Sequence, residues 1–105
     1  MQSQNNMEHV EELKLLAKLG IRYMQTPSAI LVPRADLLRY AQALDKKKMK
    51  PLGIDAYAQN SDQQILSASD FDFPTPQGKI SASDYATTHL EGLAGHITHF
   101  AVLLQ

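Results

Sequence analysis

Cysteine and tryptophan are absent from this chain. Without cysteine there is no disulfide, no thiolate ligand for a metal and no sulfur nucleophile, so stability has to come from packing. Glycine and proline are sparse, five of each in 105 residues, which excludes a low-complexity or collagen-like chain. No apolar run approaches the ~18 residues of a membrane span, and the opening MQSQNNMEHVEEL is polar and acidic where a signal peptide would be basic and then apolar. The expectation is a soluble, cytoplasmic protein that makes no membrane contact. Basic residues are nearly missing from one half: residues 51–105 hold Lys79 alone against six acids, net −5, whereas residues 1–50 hold nine Lys/Arg against five acids, net +4. Such a distribution either closes on itself within the fold or lets two copies dock through complementary patches.

What is present is an ordinary globular composition, 44% hydrophobic and 20% charged. A chain of this size buries roughly two-thirds of its unfolded surface, enough for one core. We read residues 1–6 as a disordered tail and 7–105 as a single domain.

The spacing of Met7, Val10, Leu13 and Ala17 predicts an amphipathic helix over 7–19, begun by an Asn5 cap and ended by Gly20. IRYMQ (21–25) and AILVP (29–33), separated by Thr26-Pro27-Ser28, read as a β-hairpin. A second helix over 34–48 places Leu37, Ala41 and Leu44 on one face and is stopped by Pro51 and Gly53. Alternation in 52–59 predicts a strand, Asn60 to Asp62 a reversal, and 64–68 a second strand. In the last segment Ser81 and Asp84 form a capping-box-like start, and Ala86, Leu90, Leu93, Ile97, Phe100 and Leu104 continue at helical spacing. One long helix over 82–104 is expected; if it breaks, the break falls at Gly92 to Gly95, because HITHFAVLL also has the look of a buried strand. The hexamers LSASDF (66–71) and ISASDY (80–85) are alike, which reflects shared turn chemistry.

No motif specifies a reaction. His89, His96 and His99 cluster in the last segment beside Tyr85, but a metal site would need further ligands from His9, Asp70 or Asp72, and half-buried structural histidines account for them. Ser67 or Ser69 with His89 and Asp70 makes a hydrolase triad on paper, without a nucleophile-positioning turn. The five glycines never cluster as a phosphate loop. No cofactor or metal is expected. Arg34, Arg39, Lys46, Lys47 and Lys48 make the second helix basic, which raises nucleic-acid binding as an alternative, although the pI of 6.4 is low for that class. The lysine run alone fits a helix end, where cations are favoured whatever the function.

The element order helix, hairpin, helix, hairpin, helix predicts an α+β fold with an antiparallel sheet packed by helices. In element order alone it is similar to small dimeric secretion chaperones. The function expected is a non-enzymatic, homodimeric module that binds a protein or peptide, with Tyr85, His89, His96, His99, Phe100 and Leu103 at the interface. A basic nucleic-acid accessory protein is the first alternative, and a small-molecule or metal-dependent enzyme at the histidines the second.

Overall fold

The computed structural model describes residues 2–104, with side chains described from Val10 onward. Met1 and the side chains of residues 2–9, Met7 and His9 among them, lie outside the described residues; the backbone of 2–6, expected as a disordered tail, is the first part of a helix that starts ahead of the expected Asn5 cap. Helix α1 (Gln2–Leu19) leads into strand β1 (Met24–Gln25), strand β2 (Ile30–Pro33), a 3-10 turn (Arg34–Asp36) and helix α2 (Leu37–Lys46). Strands β3 (Pro51–Gln59) and β4 (Ile65–Ser67), a second 3-10 turn (Ser69–Phe71), helix α3 (Ala82–Leu90) and strand β5 (Ile97–Leu104) complete the chain. The class is α+β, with a five-stranded antiparallel sheet in the order β1-β2-β5-β3-β4.

The expected element order does not hold, because the last segment is not one helix. It divides at Gly92 (φ +71°), and its second half becomes β5, inserted between β2 and β3 as the central strand. Helical spacing in 97–104 competes with pairing along both edges of an otherwise split sheet. The pairing wins: Phe100 lies opposite Val32 on one side and Ala56 on the other. The likeness to secretion chaperones rested on that order and goes with it.

Alternation along the strands sorts the sheet into two faces. Ile30, Val32, Ile54, Ala56, Phe100 and Val102 point to the helices and share one core with Leu37, Tyr40, Ala41 and Leu44 of α2 and Tyr85 and Ala86 of α3. On the other face Leu31 and Ala101 are buried by their neighbours, and Asp55, Tyr57, His99 and Leu103 follow the same register. Helix α1 docks by Leu15 and Leu16, while Val10 is 44% exposed and Ala17 is exposed. Its buried stripe is therefore rotated from the Val10–Leu13–Ala17 face, because the adjacent leucines bury more apolar area than valine and alanine. That rotation carries Glu12 inward (7% exposed) beside the buried Tyr40 hydroxyl, which has no other partner among the described residues. Burial first, and then the Glu12 carboxylate, push this hydroxyl above the ordinary tyrosine range, so it remains a protonated donor.

Helix ends are tied to distant elements. Gly20 (φ +70°) closes α1, with Gly20 N donating to Ala17 O and Ile21 N to Leu16 O, both 3.1 Å. Ser81 Oγ accepts from Asp84 N at 3.0 Å, as the capping-box spacing predicts, and the Asp45 carboxylate accepts from Ala82 N (2.6 Å) and Ser83 N (3.1 Å). The end of α2 thus supplies the anion that the start of α3 favours. The same closing pattern recurs after α2, where Met49 N donates to Leu44 O and Lys48 N to Asp45 O, both 3.0 Å, but here the left-handed residue is Lys48 (φ +56°). A side chain in that region costs about 1 kcal/mol. Lys48→Gly is expected to raise stability by about that much, read from chemical denaturation, whereas Lys48→Val should lower it.

Candidate functional site

Of the histidines and aromatics singled out from the sequence, Tyr85, His89 and Phe100 gather around Phe73, whereas His96 and His99 stand elsewhere. Tyr85 and Phe100 are inside the core, at 1% and 0% exposure. The Tyr85 hydroxyl reaches the carbonyls of Phe73 (3.1 Å) and Pro74 (2.5 Å), and burial raises it to about 12. His89 stacks on Phe73 at 5.1 Å and meets Tyr85 edge-on, and His96 meets Phe71 edge-on at 5.0 Å. His99 is on the opposite sheet face beside Tyr57, with Nδ1 2.9 Å from Thr98 Oγ1, and burial lowers its pKa. Among the described residues no three His, Asp or Glu side chains are placed to hold a metal ion, and no hydrogen bond links Ser67, Ser69, Asp70 and His89. Of the two apolar residues expected at the homodimer interface, Phe100 packs inside its own chain and Leu103 is exposed.

The basic residues separate into two roles. Arg34 turns inward: Nη1 donates to Ala94 O (2.7 Å) and Ile97 O (3.1 Å), and Nη2 to Leu93 O (3.1 Å), so the guanidinium holds the α3–β5 turn. Arg39 Nη2 donates to the last α1 carbonyl, Leu19 O, at 2.5 Å, and the residue is exposed. Between α1 and α2 this leaves a half-open groove of about 730 Å³. Its α1 wall is Leu15, Lys18 and Leu19, and its α2 wall is Arg39, Gln42, Ala43, Lys46 and Lys47. The floor is apolar, the rim carries four cations, and no acid is among the described residues that line it. The volume falls within the range of ligand-binding clefts. Two residues of the lysine run therefore border a concave surface, a place that the helix end by itself does not supply.

The helix-free sheet face holds a second polar group. Asp72 Oδ1 accepts from Ala56 N at 2.7 Å, and Asp55 on β3 stands beside the Asp72 carboxylate. Burial, and then the Asp72 charge and hydrogen bond, raise the Asp55 pKa; burial and the two carboxylates raise that of Tyr57. A carboxyl raised in the folded state stabilises it while protonated, and this contribution is lost as pH climbs from the ordinary 3.8 through the raised value. Asp55→Asn is therefore expected to stabilise the protein near neutral pH by about 0.5 kcal/mol, the scale of a like-charge contact on a sheet. The gain should vanish below the ordinary Asp value when unfolding is followed against pH.

One stripe of the groove was legible in the sequence, since residues 39, 42, 43, 46 and 47 recur at helical spacing. The other wall was not, because it depends on how α1 is rotated. Fold and groove together define a small α+β domain with a cationic, apolar-floored cleft between two helices. No family model matches the chain, and no curated protein or solved structure is significantly similar to it.

Proposed function

We propose that this protein is a small protein- or peptide-binding module whose partner occupies the groove between α1 and α2. The observation that carries this reading is the groove itself, apolar at its floor and cationic at its rim, with no acid among the described lining residues. Concave surfaces of this size with a few convergent polar groups are where ligands are held. Nucleic acid fits less well: the described lining residues include no aromatic ring on which a base could stack, and Arg34 is committed to backbone carbonyls. The reading does not require a second copy of the chain.

The test is selection of a random peptide library on the wild-type protein and on Ala43→Glu, which places a carboxylate on the groove floor, with the fold of the variant checked by circular dichroism. Peptides retained by the wild type and lost from the variant are expected. If every selected peptide is indifferent to the variant, or if a single-stranded oligonucleotide binds instead with a steep salt dependence, the proposal fails and the nucleic-acid reading takes its place.

A further inference from the structure

We infer that the groove's occupant is an acidic amphipathic helix of a partner protein, an inference that rests on the groove being the binding site. Both walls are helix stripes: Leu15, Lys18 and Leu19 at i, i+3, i+4 on α1, and Arg39, Ala43, Lys46 at i, i+4, i+7 on α2. The trough between two neighbouring helices is the shape into which a third packs, ridge against groove, at 8–10 Å between axes. From Arg39 to Lys47 the α2 wall is about 12 Å long, which matches the i, i+3/i+4, i+7 anchors of a docked helix. Ala43, the small residue midway along it, allows close approach.

The secondary structure of the occupant follows from backbone bookkeeping. Extended peptides are held by main-chain hydrogen bonds along a sheet edge or, as polyproline II, on aromatic-lined grooves. The described residues that line this groove come from two helices and offer neither a strand edge nor an aromatic ring, whereas a helix satisfies most of its own backbone. The charge follows from the rim. Lys18 stands on one wall and Arg39, Lys46 and Lys47 on the other, so an apolar stripe flanked by Glu or Asp on both sides meets a cation at each edge. The five donors of a guanidinium exceed the one bond that Arg39 gives to Leu19 O, which leaves donors for a carboxylate.

The probe is a labelled peptide of about 15 residues, long enough to span the groove with a turn to spare. It carries Leu at i, i+4 and i+7 with Glu on both sides, and is compared with the same peptide bearing Lys for Glu. Anisotropy should show binding of the Glu peptide alone, a gain of helix by circular dichroism, and affinity falling with salt. Lys46→Gln/Lys47→Gln, on exposed positions that leave the fold intact, should weaken binding about tenfold or more, and Ala43→Glu should abolish it. Equal binding of the two peptides, or no loss in the double lysine variant, overturns the inference. Should the library yield Ala43-dependent peptides that are extended or uncharged, the binding-module reading stands and the acidic-helix inference falls; if no groove-dependent peptide is found, both fall.

Discussion

Phe100→Ala is expected to destabilise the protein by about 3–5 kcal/mol, the range for removing an aromatic ring from a closed core. Phe100 is fully buried on the central strand, its ring 5.3 Å from that of Phe73. Its cross-strand neighbour on β3 is Ala56, a side chain with no reach to fill the space left behind. Phe100→Leu keeps most of the volume and should cost no more than about 1.5 kcal/mol. Urea denaturation of both variants measures the difference. A loss below about 1 kcal/mol for the alanine variant would show that 97–104 does not run through the middle of the sheet.

Removing the Arg34 side chain is the second large effect. Its guanidinium serves three carbonyls in the short connection that turns α3 into β5. Hydrogen bonds from a charged donor are worth about 1.5–3 kcal/mol, and unserved carbonyls add to the loss. Arg34→Ala should cost about 2–3 kcal/mol, and Arg34→Lys should recover less than half, because a point ammonium cannot reach three acceptors as a planar fork does. Hydrogen exchange separates a local from a global effect: the Ile97 amide, bonded to Ala94 O at 3.2 Å, should exchange faster in both variants than the change in global stability explains. A variant within about 0.5 kcal/mol of wild type, the usual surface range, would return Arg34 to the solvent-facing cations.

These two residues also show why the sequence was ambiguous where it mattered. Phe100 satisfies a helical stripe with Ile97 and Leu104 and a strand alternation with Thr98 and Val102 equally well, and local spacing cannot choose between them. Arg34 looks like the first member of a basic helix, but the 3-10 turn after Pro33 aims it at a loop about sixty residues away in sequence. The repeated SASD tetrad is a third instance. In 81–84 Ser81 caps α3 through Asp84 N, whereas in 67–70 the equivalent Ser67 ends β4 and Ser69 opens only a short 3-10 turn ahead of Phe73, whose backbone bridges Ile54.

The sequence by itself determined the local events. The α1 stop at Gly20, the hairpin at Thr26, the inward stripe Leu37–Ala41–Leu44, the reversal at Asn60 and the Ser81 cap all follow from interactions within a few residues, so no distant partner is needed to specify them. Tertiary structure decided the outcome where a piece offered more than one face. Helix α1 carries apolar residues on more than one side, and only its docking on α2 selects Leu15 and Leu16, draws Glu12 inward to Tyr40 and opens the groove walled by Lys18 and Lys46. The last segment became a strand because β2 and β3 both present unpaired backbone toward it. That long-range pairing outweighs helical spacing within 97–104, a choice that the strand-like look of the segment could not make by itself.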